Sequence, residues 1–220
     1  MKTVWMAGAS GLVGSHVLPR LLDDPMFATV VSLGRRALDV VHPKLVQRTV
    51  DFASLDTGGL ASPDVAICTL GTTLGKAGSK EAFRAVDHGA VLAFAKASLA
   101  AAARSFVVVS SLGANSGSRV FYNRGKGATE ADRCGLGFAS LAIAQPSLLL
   151  GDRVESRPAE RVLVVASRFL AGVLEPFAAR PIEADVVARA LVALAREPPA
   201  GVVVYPSSRL QALGGEAPAR

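Results

Sequence analysis

The sequence predicts an α/β protein: a doubly wound, mostly parallel sheet with helices on both faces and a small C-terminal portion on the substrate side. Three observations predict it. Apolar runs of strand length alternate with longer helical segments along most of the 220 residues, as successive βαβ units require. Several of those runs are β-branched and continuously apolar, which is the pattern of strands covered on both faces. The first run also feeds directly into a glycine-spaced turn that opens a helix.

Strands are expected at 3–7, 29–33, 45–50, 65–69, 105–110, 140–144 and 201–205. Helices are expected between them at 12–22, 80–103, 122–134, 160–174 and 183–196. The long segment 80–103 is rich in Ala and poor in breakers, so its helical reading is the firmest. Pro19 falls inside the first helix and is expected to kink or shorten it. The whole chain, 1–220, reads as one domain, with 151–200 contributing the substrate-side portion and 214–220 a frayed Gly/Ala/Pro tail.

Composition excludes several classes. Half of the residues are hydrophobic and 19% are charged, so the chain can bury a core and is not disordered. No apolar stretch reaches membrane-spanning length, and no membrane partner is expected. The N-terminus enters the glycine turn at once and does not read as a signal peptide; a cytoplasmic location is the expectation. Cys68 and Cys134 lie far apart, and His16, His42 and His88 are isolated, so no metal site is expected. Cys68, inside an apolar run, reads as core filling. The net charge of +6 comes from 24 scattered Lys and Arg, without the interleaved aromatics of a nucleic-acid platform. A basic surface that attracts phosphate-bearing ligands is the favoured reading.

The turn is Gly8-Ala9-Ser10-Gly11-Leu12-Val13-Gly14. Gly8 permits a tight bend, Gly11 lets backbone approach a diphosphate, and Gly14 lets helix and strand pack closely. The helix start behind it offers unpaired N–H groups and a partial positive charge. Strand before and helix after make this a Rossmann-type dinucleotide-binding turn. Sites that prefer NAD(H) place an acid at the end of the second strand, where it bonds the ribose 2′-hydroxyl. This chain has Gly34-Arg35-Arg36 there. Paired guanidiniums suit a 2′-phosphate, so NADP(H) is expected over NAD(H). Asp51, after the third strand, is placed near the adenine or serves as a cap.

The reactive end is expected after the fifth strand, at Ser110-Ser111 and at Tyr122-Asn123-Arg124-Gly125-Lys126. Residues four apart share a helix face, so Tyr122 and Lys126 can meet one cleft. An ammonium beside a phenol favours the phenolate, and such a Tyr can exchange a proton with a carbonyl or alcohol oxygen during hydride transfer. Ser111 would hold the same oxygen. Gly125 and Gly127 weaken the start of that helix by about 1 kcal/mol each.

Together, the glycine turn, the Ser and the Tyr-x-x-x-Lys resemble the short-chain dehydrogenase/reductase superfamily in its atypical branch. The strings Leu33-Gly34-Arg35-Arg36, Leu70-Gly71-Thr72-Thr73-Leu74-Gly75-Lys76-Ala77-Gly78-Ser79 and Gly151-Asp152-Arg153-Val154-Glu155-Ser156-Arg157-Pro158 are similar to the HTATIP2-like oxidoreductases. The likeness runs from Val4 to about Gly214. It implies an NADP(H)-binding Rossmann fold with Ser111, Tyr122 and Lys126 as the reactive group. Ser10, Gly11, Leu12 and Val13 would then sit at the pyrophosphate and Arg35 and Arg36 at the 2′-phosphate. Leu70 and Gly71 would lie along the cofactor and Arg153 near its nicotinamide half. Two positions depart from the pattern: Asp87 stands where related enzymes often carry Asn, and Gln145-Pro146 replaces Arg-Pro.

The implied partners are a dinucleotide and a small-molecule substrate, with a protein partner if the role is regulatory and a homo-oligomer if apolar helices pair between subunits. Three functions stay open: an NADP(H)-dependent oxidoreductase acting on a carbonyl or alcohol, a regulator that binds NADP(H) without turnover, and, third, a nucleotide-sugar epimerase or dehydratase. The Gly-rich stretch 72–79, with Lys76, is either a substrate-side lid or a plain loop. Arg153 and Arg157 serve an anionic substrate or a surface ion-pair network.

Overall fold

A computed structural model of the chain describes residues 1–114, 117, 126, 129, 130, 132, 134–151 and 180–215. Seven parallel strands form one sheet: β1 (Lys2–Ala7), β2 (Phe27–Gly34), β3 (Leu45–Thr49), β4 (Val65–Cys68), β5 (Ser105–Val109), β6 (Ser140–Gln145) and, at one edge, β9 (Gly201–Pro206). Their order is β3-β2-β1-β4-β5-β6-β9. A short parallel pair, β7 (Leu149–Leu150) and β8 (Ile182–Glu183), stands apart from it. All seven strands of the main sheet were expected from the sequence, with ends shifted by one or two residues.

Alternation along the strands sorts the core into two layers. Val4, Met6, Val30, Ile67, Val107 and Ala142 face α1 (Gly14–Asp23) and α5 (Ala184–Arg196). Their neighbours Trp5, Ala7, Val31, Cys68, Phe106 and Ile143 face the opposite side, under Phe94 and Ala95 of α4 (Val91–Ala100). Cys68 is fully buried there, as an apolar filler. Burying both faces is what the unbroken apolar runs predict. The Trp5 indole N–H, at the bottom of its layer, donates to the Ala61 carbonyl at 2.9 Å, so the ring is buried without an orphaned donor.

Helix α1 continues through Pro19 to Asp23. Pro19 removes the amide that would bond the Ser15 carbonyl, yet Val17 and Leu21 are fully buried against the sheet. Each such side chain contributes about 1.5–3 kcal/mol, enough to offset one missing hydrogen bond. The expected shortening therefore does not occur. At the other end of this layer, Lys2 Nζ donates to the carbonyls of Arg196 (2.7 Å) and Ala195 (3.1 Å), capping α5 with a cation.

The segment expected as one helix at 80–103 is α3 (Lys80–Arg84), a π-helical turn (Ala85–Ala90) and α4, ending at Ala100. The stretch 72–79, expected as a loop, holds a short helix, α2 (Leu74–Ala77). Thr73 accepts from the Lys76 amide at its start, and Gly78 at φ 79° terminates it. These two caps outweigh the glycine inside. A C-terminal helix, α6 (Ser207–Gly215), was not expected. Gly214 belongs to it and is buried, so the tail predicted to fray from 214 is helical through Gly215. A Cβ at Gly214 would lie 1.9 Å from the Val186 carbonyl oxygen, and that close approach is what docks α6 on α5. Residues 216–220 and the helix expected at 160–174 lie outside the described residues.

Candidate functional site

Because the strands are parallel, their carboxyl ends share one edge of the sheet. The strand order reverses between β1 and β4, and ligands of open α/β sheets collect outside such a switch point. The glycine turn emerges from β1 at this place. Gly8 has φ +91°, and a Cβ there would fall 2.7 Å from the Thr69 carbonyl carbon. The Gly11 amide donates to the Gly8 carbonyl at 2.9 Å, closing the bend. The Thr69 hydroxyl, 3.1 Å from the Ala7 carbonyl and 3.0 Å from that of Gly8, ties the end of β4 to the turn.

Helix α1 begins at Gly14 with no side-chain cap and no acid in its first turn. The Ser15 amide bonds Gly11 and the Val17 amide bonds Val13; the amides of Leu12, Val13 and Gly14 precede them, in the positions a helix start leaves unpaired. The turn therefore presents donors at a positive helix end. Ser10 is exposed at its rim. A groove of about 350 Å³ starts there and runs between α1, at Leu18 and Leu22, and the stretch from Leu38 to His42.

Arg35 and Arg36 follow β2 and are both exposed. Asp51 is committed as a cap: its carboxylate accepts from the Ala53 amide at 3.0 Å and from the Ser54 hydroxyl at 3.3 Å. Leu70 is half-buried and Gly71 exposed, directly after the β4–Thr69 junction. A Cβ at Gly71 would stand 3.6 Å from both Asp87 Oδ1 and Lys126 Nζ.

Those two groups form a buried ion pair. Lys126 Nζ meets Asp87 Oδ1, with side chains 7% and 2% exposed. The second carboxylate oxygen, Oδ2, accepts from the Thr72 amide at 2.7 Å. Asp87 sits on the π-helical turn, an element that recurs at functional sites because it redirects side chains from the regular spiral. Lys126, Thr129, Glu130, Asp132 and Cys134 are helical, in keeping with the helix expected at 122–134. Glu130 is held by the Gln145 amide at 3.0 and 3.1 Å. The Gln that departs from the resemblance thus has a carboxylate partner at the end of β6.

Ser111 lies just beyond β5. Its Oγ is buried and, among the described residues, has no hydrogen-bond partner; the same holds for Ser110 Oγ. Gly151 approaches the turn: a Cβ on it would lie 3.0 Å from the Leu12 side chain. Tyr122 and Arg153 lie outside the described residues. The structure therefore gathers Gly8, Ser10, Gly11, Leu12, Val13, Gly14, Leu70, Gly71, Lys126 and Ser111 at one edge, with Arg35 and Arg36 beside them. Sequence reasoning missed Thr69, Thr72 and Glu130. Only the run of threonines after an apolar strand pointed toward the first two.

Among the described residues, no His, Cys, Asp and Glu cluster could hold a metal ion, and no helix is long and apolar enough to cross a membrane. No family model matches the chain. Its sequence is 36% identical to "Protein fmp52, mitochondrial" of Aspergillus fumigatus, over 98% of this chain and 96% of that protein. It is 38% identical to "Protein HTATIP2" of Rattus norvegicus, over 72% of this chain and 67% of that one. The chain belongs to the Fmp52/HTATIP2 family. Among solved structures it is similar to MoeE5 in complex with UDP-glucose and NAD, with a TM-score of 0.69 and 17% identity, over 97% of this chain and 81% of that one. At that identity the likeness supports the Rossmann-type fold of the Fmp52/HTATIP2 family. The expected cytoplasmic location is corrected by the family itself: its Aspergillus fumigatus member is named mitochondrial.

Proposed function

We propose that this member of the Fmp52/HTATIP2 family binds a nicotinamide dinucleotide, NADP(H) in preference to NAD(H), and acts as an oxidoreductase on a carbonyl or alcohol. One observation carries the reading. Two exposed guanidiniums, Arg35 and Arg36, follow β2 beside the glycine turn, where an NAD site would place an acid. The residues present fit the group. A Cβ at Gly8 or at Gly14 would run into backbone of the bend, the helix start behind it is uncapped, and the buried Ser111 hydroxyl has no partner among the described residues.

In this reading the amides of Leu12 and Val13, with Ser10, hold the diphosphate, and the arginines grip the 2′-phosphate by charge-assisted forks. Leu70 and Gly71 line the path toward Lys126. The bound dinucleotide supplies or accepts a hydride. Ser111 Oγ orients the substrate oxygen, and Tyr122 passes a proton to or from it. A phenol titrates near pH 10, so it needs help at neutral pH. Lys126 gives that help only in part, because Asp87 already neutralises its charge; its main task is to hold the nicotinamide ribose. Arg153, two residues after Gly151 in the sequence, is the candidate for the nicotinamide half that the family resemblance implies.

The same neutralisation favours a second reading, a regulator that binds NADP(H) without turnover. A panel of aldehydes, ketones and quinones with reduced NADP separates the two. Turnover that Tyr122→Phe abolishes while binding persists supports the oxidoreductase. Tight binding with no turnover across the panel supports the regulator, and absence of binding rejects both.

A further inference from the structure

We infer that Asp87 sets the charge at the nicotinamide end of the site, and through it the protein's relative affinity for the oxidised and reduced forms of the dinucleotide. The inference rests on the dinucleotide reading above and adds a specificity-determining residue to it. Its ground is the way one carboxylate is shared. Oδ1 takes the Lys126 ammonium, and Oδ2 takes the Thr72 amide at 2.7 Å. Both charged side chains are more than nine-tenths buried, yet they pack beside exposed Gly71, on the cleft side of the switch point.

The two redox forms differ by one charge at one end: the oxidised nicotinamide ring is cationic and the reduced ring is neutral. A net charge fixed beside that ring would therefore discriminate between them, and weak screening in a buried setting would preserve the effect. Alone, the Lys126 ammonium would disfavour the cationic ring. Paired with Asp87 it is neutral overall, so both forms are admitted. Among the described residues, the segment that follows β4 contributes Gly71 and Thr72 beside the pair, both uncharged. Glu130, one helical turn beyond Lys126, accepts from the neutral Gln145 amide and keeps its charge, which is the same in every variant compared below. Through Thr72 the pair is tied to the backbone that borders Gly71.

The test measures dissociation constants of oxidised and reduced NADP for the wild-type chain, Asp87→Asn, Asp87→Ser and the double variant Asp87→Asn/Lys126→Met. Asn keeps an oxygen for Thr72 but turns an amide toward the ammonium. Ser is smaller, admits a water, and serves if the Asn variant does not fold, which circular dichroism reports. Either single variant is expected to raise the oxidised-to-reduced ratio of dissociation constants about tenfold or more. The double variant is expected to restore a ratio near wild type, because no net charge remains. Equal weakening of both forms in the single variants, or no change in either, would overturn the role assigned to Asp87 while leaving the dinucleotide reading intact. Failure of the wild-type chain to bind either form would overturn both.

Discussion

A Cβ placed on Gly14 would fall 2.1 Å from the carbonyl oxygen of Gly8. The entrance of α1 and the bend that precedes it are in backbone contact, and no side chain larger than hydrogen fits between them. Gly14→Ala must force the turn apart. A loss of about 3 kcal/mol is expected, the upper end for overpacking, or about 6–12 °C in Tm for a chain of this size. Gly75→Ala is the control: it lies in α2 with nothing within 4 Å of its Cβ, and its melting temperature should stay level or rise slightly. A Gly14→Ala variant as stable as wild type would show that the bend is looser than described.

Arg35 and Arg36 bear on cofactor choice. Their joint replacement by Ala should weaken NADP(H) by about a hundredfold, since hydrogen bonds to charged groups contribute about 1.5–3 kcal/mol. NAD(H), which lacks the 2′-phosphate, should change little. The NADP(H) affinity of the wild type should also fall as salt is raised. Calorimetric titration with both cofactors checks this, and an equal loss for the two would remove the arginines from the 2′-phosphate site.

Ala102 offers a gain of stability. It adopts φ +71° just past α4, where its amide donates to the Leu99 carbonyl and that of Ala103 to the Ser98 carbonyl, each at 2.9 Å. This is a left-handed helix stop normally filled by Gly. Ala102→Gly relieves the steric cost of that conformation and should stabilise by about 1 kcal/mol, or about 2–4 °C in Tm. A fall in the thermal midpoint would count against the assigned backbone.

Glu81 supplies a pH test. Its own backbone amide and the Ser79 hydroxyl hold its carboxyl below the ordinary value of 4.5. A group whose folded pKa is depressed adds stability above its unfolded pKa and loses it as pH falls through the folded one. Carboxyl NMR should therefore give Glu81 a midpoint below 4.5, and Ser79→Ala should move it upward. An unmoved midpoint would leave Ser79 with only its role as cap of α3.

What was legible in the sequence was local. Alternating apolar runs marked all seven strands of the main sheet, since a strand covered on both faces needs little beyond its own residues to declare itself. The spacing of Gly8, Gly11 and Gly14, and the Arg-Arg after β2, were likewise readable, because a sharp turn and a charge both act over a few residues. Short capped pieces were harder. Thr73 and Gly78 make a helix of α2 that its composition alone argued against.

The tertiary structure alone decided what meets what. Asp87 and Lys126 belong to different helices, and Thr72 to the loop between β4 and α2; only the sheet's fixed order brings a carboxylate, an ammonium and an amide to one buried point. Gly214 fits α6 to α5 for the same reason, and Gln145 finds Glu130 across a similar gap. Such pairings depend on through-space distance and on removal from water, and neither quantity is written in the spacing of residues along a chain.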